Sequence, residues 1–174
     1  FVGIETPDEL SLAECNKTQN HHRDLLSSVK TIQAAGMEVT AGFIVGFDND
    51  KPSIFQRQID FIQKSGIVAA MVGLLNVSPK TRLHDRLKKE NRLIYTKNNS
   101  LELTELNFVP KMKASTLISG YENVLTTIYS PRCYFARIKT FLREYKPRKR
   151  KPPKVRFYYI RGLLSSLWFL GIKE

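Results

Sequence analysis

The sequence is poor in sulfur, in glycine and in acids along its last quarter. It holds two cysteines, nine glycines and three histidines in 174 residues. Cys15 and Cys133 stand far apart and match no CxxC or zinc spacing. Two thiols do not make a disulfide scaffold, so a reducing, cytoplasmic setting is expected. His21 and His22 are adjacent and would point different ways on a helix, and His84 is distant from both, so no metal site is read from them. Nine glycines without a fixed period exclude collagen-like and repeat architectures. No window of 18 consecutive apolar residues occurs, so no complete membrane span is evident. Neither a GxxxxGK[ST] nor a GxGxxG phosphate loop is present, and no nucleophile elbow or Ser/His/Asp constellation stands out.

What is present is an ordinary globular composition, 42% hydrophobic and 25% charged, of about one domain's length. The net charge of +12 is unevenly spread. Residues 1–130 carry 15 basic and 14 acidic side chains, and residues 131–174 carry 13 basic and 2 acidic. The densest run, Lys146-Pro147-Arg148-Lys149-Arg150-Lys151-Pro152-Pro153-Lys154, contains three prolines that forbid a helix, and it reads as an extended, solvated linker. Its functional reading is a patch for an anionic membrane surface or, less well supported, for nucleic acid, because aromatic and basic residues interleave only at Phe157-Tyr158-Tyr159.

The first 95 residues alternate short apolar strands with amphipathic helices. Phe1–Glu5 reads as a strand already in progress, with no initiating Met and no basic leader, so the chain is expected to be a piece of a longer protein. Thr6-Pro7-Asp8-Glu9 predicts a helix start with Thr6 as its cap. A second helix is predicted over 20–35, with Leu25, Val29 and Ile32 on one face and Gly36 closing it. Residues 38–47 and 67–75 are near-continuous apolar runs of β-formers, as expected of parallel strands covered on both faces. Between them a helix over 52–65 buries Phe55, Ile59 and Ile62, and a further helix over 79–90 turns Leu83 and Leu87 inward.

This order predicts right-handed βαβ units and a parallel sheet, with a Rossmann-like sheet and part of a (β/α) barrel equally good on periodicity alone. After residue 95 the pattern changes. Residues 96–110 are polar and irregular, and helices are predicted over 112–130, 131–145 and 156–170. The expected organisation is an α/β region at 1–95 followed by an all-helical extension at 96–174, with the basic linker at 146–154.

Three strand ends hold the informative residues, which is where such folds place ligands. In Gly3-Ile4-Glu5-Thr6-Pro7, a carboxylate at the strand's end suits a ribose diol and equally suits a helix-capping acid. In Gly42-Phe43-Ile44-Val45-Gly46-Phe47-Asp48, two glycines four apart let a planar ligand, or a neighbouring helix, pack against the backbone. The third is Gly73-Leu74-Leu75-Asn76-Val77-Ser78-Pro79-Lys80-Thr81-Arg82-Leu83, a strand, a turn and a Pro-led helix.

Taken in order, GIETP…ECNK, GFIVGFD and VGLL..SP.T.L resemble the second half of the catalytic barrel of radical S-adenosylmethionine enzymes. The likeness is greatest to the cobalamin-binding subgroup with a helical C-terminal extension, which Thr127-Ile128-Tyr129-Ser130-Pro131 and Phe141-Leu142-Arg143-Glu144-Tyr145 resemble. The resemblance implies a partial (β/α) barrel of three parallel strands with helices, followed by an all-helical extension. It implies that Glu5 approaches the ribose or methionine part of S-adenosylmethionine, that Ile44 and Gly46 line the adenine within a GxIxGxxE pattern, and that Gly73 and Leu74 lie beside it. Two departures are visible. The acid of that pattern is Asn49 here, and Lys80 stands where the family's turn has a small glycine.

The family's cluster-binding CxxxCxxC is absent from this sequence, and Cys15 and Cys133 cannot replace it in number or spacing. In the whole enzyme the resemblance implies a [4Fe–4S] cluster that donates an electron to S-adenosylmethionine, cobalamin as a further cofactor, and methyl transfer to a small-molecule or lipid-like substrate, with ligands for cluster and cobalamin supplied by the missing N-terminal part of the same protein. The catalytic residues are not legible. The rival reading is a non-catalytic basic module that uses residues 146–161 on an anionic membrane surface or on nucleic acid.

Overall fold

A computed structural model describes residues 1–94, 106–147 and 156–171. The basic linker from residue 148 on and most of the irregular segment after residue 95 lie outside the described residues. Strands β1 (Val2–Glu5), β2 (Ala41–Val45) and β3 (Ala70–Leu74) form one open parallel sheet in the order β1-β2-β3. Helix α1 (Glu9–Glu14), a 3-10 turn (Thr18–Asn20) and α2 (Leu25–Ala34) connect β1 to β2, and α3 (Ser53–Ser65) connects β2 to β3. Four further helices follow: α4 (Arg82–Lys89), α5 (Ala114–Ile128), α6 (Pro131–Glu144) and α7 (Phe157–Gly171). The α/β class and the parallel pairing match the sequence reading.

The element boundaries move for identifiable reasons. Helix α1 is capped by Asp8, whose carboxylate accepts from the Ser11 amide, while the buried Thr6 hydroxyl accepts from the Asp8 amide. Helix α2 starts at Leu25, not residue 20, because the chain first makes a 3-10 turn and a left-handed residue at His22 (φ 53), and Asp24 then caps the helix. Strand β2 is five residues long because its ladder with β3 runs from Ala41 to Val45, while β1 pairs only with Ala41, Gly42 and Phe43.

Alternation along the strands separates two faces. Ile4, Ala41, Phe43, Val45 and Ala70 are buried on one face, joined by the partly buried Val2, Val72 and Leu74. Against them pack Phe55, Ile59 and Ile62 of α3 and Leu117, Tyr121, Val124 and Ile128 of α5. The C-terminal helices are therefore part of the main core. On the other face the register aligns Gly3, Gly42 and Met71 in one row and Ile44 with Gly73 in the next; Met71 is 63% exposed. Helix α3 ends on Gly66 at φ 70, where an added Cβ would stand 2.9 Å from the Phe141 backbone nitrogen of α6.

Arg137 of α6 is fully buried and pairs with no carboxylate among the described residues. Its Nη1 donates to Gln63 Oε1 (2.7 Å) and to the Ile128 carbonyl (2.6 Å) at the end of α5, and its Nη2 donates to the Val68 carbonyl (3.1 Å). The rings of Tyr129 and Tyr134 each lie 5.5 Å from the guanidinium carbon. Burial pushes its pKa down, yet a guanidinium remains charged. The partial negative charge at the α5 C-terminus balances it.

Gly120 of α5 sits against the Phe55 ring, and a Cβ there would overlap the ring atoms. Helix propensity alone makes Gly120→Ala stabilising by about 1 kcal/mol. Overpacking costs about 1–3 kcal/mol in a filled core, and Phe55 is enclosed by that core. Packing should win, so urea denaturation is expected to show Gly120→Ala destabilised by about 1–2 kcal/mol. A raised midpoint would mean that the α3–α5 contact is loose.

Candidate functional site

A cleft of about 640 Å³ opens at the C-terminal ends of the three strands. Volumes of roughly 300–1,000 Å³ are typical of ligand sites. Glu5 from β1, Ile44 and Phe47 from β2 and its following turn, and Leu75 after β3 form its floor. Glu14 at the end of α1 and Cys15, Asn16 and Lys17 after it form one wall, and Thr81, Arg82, Leu83 and Arg86, at the start of α4, form the other.

Glu5 is held in an unusual conformation. The β1–β2 register shifts between Gly3 and Glu5, and Glu5 takes φ 67. Such a bulge re-aims the side chain at a strand end, and a left-handed non-glycine residue costs of order 1–3 kcal/mol that the surroundings must offset. Two contacts hold it. The Asn20 amide group donates to the Gly3 and Ile4 carbonyls at 3.1 and 3.2 Å. Lys17 Nζ lies 2.8 Å from Glu5 Oε1, with the carboxylate side chain 15% exposed.

The turn after β2 is built on a buried carboxylate. Asp50 accepts from the Gly46 amide (2.8 Å), the Phe47 amide (3.1 Å) and the Ser11 hydroxyl (2.7 Å). Burial pushes its carboxyl pKa above the ordinary value, against the lowering effect of these donors. Gly46 takes φ 110 to present its amide, a conformation that glycine tolerates. Asp50, one residue beyond Asn49, is thus the acid that holds this turn. Asn49 donates through its amide group to Glu14 Oε2 (2.9 Å).

A network of charges braces this turn from outside. Glu14 accepts from the Asp48 amide (3.2 Å) and pairs with Arg86 (2.8 Å). Arg92 forks onto Asp48 at 2.6 and 2.8 Å, and Arg86 and Lys111 approach the same carboxylate at 3.4 and 3.8 Å. The Arg92 hydrogen bonds hold the Asp48 carboxyl below the usual carboxylate range, and Asp48 raises Arg92 in return. Cys15 points its thiol at the Leu12 carbonyl (3.4 Å), and burial raises its pKa, which keeps it protonated near neutrality.

Of the residues singled out from the sequence, Glu5 and Ile44 line the cleft together. Gly73 neighbours Ile44 on the open face of the sheet, and a Cβ there would meet nothing within 4 Å. Gly46 serves the turn through its amide, and Leu74 directs its side chain into the core. Lys80 occupies φ 65, the backbone region that glycine would fill with less strain. Lys17, Glu14 and Arg86 were not singled out. Two of them stand in the ECNK motif, so the motif's order carried the signal although neither residue type declares a role alone. Arg86 carries no such mark. Among the described residues no group of three or more His, Cys, Asp or Glu could hold a metal ion, and no helix is long and apolar enough to cross a membrane.

Comparison with known proteins gives a consistent set. The profile of a family described as a domain of unknown function, DUF4070, matches residues 81–174, from the α4 cap through α7. The chain is 34% identical over its whole length to an uncharacterized methyltransferase of Synechocystis, and 29% identical over 99% of its length to the hopanoid C-2 methylase of Rhodopseudomonas palustris. It spans about a third of the length of each of these relatives.

The charge network makes a prediction about acid. Because the folded Asp48 carboxyl titrates below its ordinary value, it adds stability above about pH 4, and this is lost as pH falls through the folded value. Asp50 has the opposite sign: its raised value makes stability decline as pH rises from about 4 toward the folded value. Asp48→Asn should therefore lower stability at pH 7, by about 3 kcal/mol for a largely buried pair broken on one side, and flatten the loss below about pH 4. Urea titrations of both proteins at several pH values test this; parallel curves would detach Asp48 from the acid transition.

Proposed function

We propose that this chain, which belongs to the DUF4070 family, a family found in cobalamin-binding radical S-adenosylmethionine proteins, is the C-terminal part of such an enzyme and forms part of its S-adenosylmethionine site, in a methyl-transfer reaction. The observation that carries the reading is Glu5: a strained, bulged carboxylate at a strand's C-terminal end, paired to Lys17 in the lining of a cleft. Backbone strain concentrates at ligand sites, where it fixes a side chain in advance. The two relatives named as a methyltransferase and a methylase support the reaction class.

The residues present suit the nucleoside part of S-adenosylmethionine. Open space beside Gly73 and the apolar side chain of Ile44 accept a planar base on the uncovered face of the sheet. Glu5 accepts hydrogen bonds from a ribose diol, and Lys17 holds its carboxylate in place until a ligand competes for it. Glu14 and Asp50 keep the turn after β2 rigid, so that Ile44 and Phe47 do not collapse into the cleft. What the bound cofactor supplies is a sulfonium whose carbon–sulfur bond can be cleaved. The described residues do not fit the [4Fe–4S] cluster, for which three thiolates are needed, and no step is assigned to this chain through it or through cobalamin. On this reading their ligands, and the substrate contacts, belong to the rest of the protein.

Two measurements test the reading. Residues 1–174 alone should gain no stoichiometric iron–sulfur absorption on anaerobic reconstitution; a cluster bound by this chain would overturn the division of labour. In the full-length protein, Glu5→Gln should weaken S-adenosylmethionine binding about tenfold to a hundredfold, the value of a lost charged hydrogen bond, with the melting temperature unchanged. Unchanged affinity with a lowered melting temperature would make Glu5 an entry residue for α1 and nothing more.

A further inference from the structure

Among the described residues one helix has apolar residues that are not absorbed by the cores. Helices α2 to α6 each bury residues, whereas in α7 nine apolar or aromatic side chains between Phe157 and Phe169 are 46–80% exposed. At 100° per residue, Tyr159, Ile160, Leu163, Leu164, Leu167 and Trp168 fall within about half the helix circumference. Arg161, Ser165 and Ser166 lie on the other half, beside Tyr158 and Phe169. No acid occurs between Glu144 and Glu174, and residues 146–161 hold eight Lys or Arg.

We infer that α7 is an in-plane anchor for an anionic lipid bilayer. Three properties select this occupant over a protein groove or nucleic acid. A helix of 15 residues is about 22 Å long, short of the roughly 30 Å hydrocarbon core, so it lies in the interface and does not span it. Tyr159 and Trp168 stand at opposite ends of the apolar arc, where amphipathic rings sit at the headgroup level. The cationic charge of the tail complements an anionic leaflet and repels a second copy of the same tail. Nucleic acid would use the cations but leave Leu163, Leu164 and Leu167 without a partner.

Trp168 is the sole tryptophan of the chain and reports on its own surroundings. Its emission should shift to the blue, and be quenched by brominated acyl chains, when the protein is mixed with phosphatidylcholine vesicles containing about 30% phosphatidylglycerol. Raising salt from about 0.1 M to about 0.5 M should weaken binding by about tenfold or more, and pure phosphatidylcholine should bind less, because the charge term is screened or missing. Leu164→Glu with Leu167→Glu should abolish co-sedimentation with the vesicles while circular dichroism and the thermal melt of the body stay unchanged. The inference is overturned if Trp168 is already blue-shifted in a dimer without lipid, if the shift is produced by duplex or single-stranded nucleic acid and not by vesicles, or if the double variant still binds. None of these readouts depends on S-adenosylmethionine, so failure of the anchor leaves the cofactor reading standing, and the converse.

Discussion

A parallel sheet of three strands must have both faces occupied to be stable, and this chain's own core occupies one. That constraint organises the molecule. Parallel strands need crossover helices, and α3 and α5 supply the apolar stripe that Ala41, Phe43, Val45 and Ala70 require. The opposite face is lined by Gly3, Gly42 and Gly73 with Ile44 and Met71. Of the glycines there, Gly73 faces open space, whereas the Phe1 ring lies against Gly42 and the Glu5 carboxylate against Gly3; Ile44 on this face lines the cleft at the strand ends. The same asymmetry that leaves apolar surface exposed creates the room for a ligand.

Two buried polar groups, Arg137 and Asp50, mark where elements meet, and each is held by a different logic. Arg137 ties α6 to the end of α5, to α3 and to the approach to β3, and backbone carbonyls and two tyrosine rings do the work a carboxylate would usually do. Asp50 is the reverse case, an anion satisfied by two amides and a hydroxyl. Their common effect is directional. Arg137 fixes how the helices lie on the sheet, and Asp50 fixes how the chain leaves it. The cleft inherits its shape from both, with the Glu14–Arg86 and Asp48–Arg92 pairs bracing its outer wall.

Glu5 and α7 represent two ways in which a local structure can be unsatisfied by its own chain. Glu5 stores backbone strain and turns a carboxylate into a cleft, a feature that folding alone does not require. Helix α7 displays apolar side chains to solvent, which burial energetics disfavour at about 25 cal/mol per Å². The first asks for a small polar ligand, the second for an apolar phase. They lie at opposite ends of the sequence, and the family profile covers the second and not the first.

Periodicity by itself determined the α/β class, the parallel pairing and the inward stripe Phe55, Ile59 and Ile62, because burial in regular elements writes its period into the sequence. The motif order also marked Glu5 and Ile44, since ligands gather at strand ends in this class of fold. The roles proposed for them come from the resemblance to a radical S-adenosylmethionine barrel and not from composition. Tertiary structure decided what has no period. Asp50 rather than Asn49 holds the turn, because the choice depends on where the Gly46 and Phe47 amides point. Arg86 joins the site from α4, 72 residues beyond its partner Glu14, a distance that no local pattern encodes. Arg137 looks like any surface arginine of an amphipathic helix until its carbonyl partners at Ile128 and Val68 are known. Leu74, beside Gly73 in sequence, faces the core because adjacent residues of a strand point to opposite faces, and only the register says which face is which.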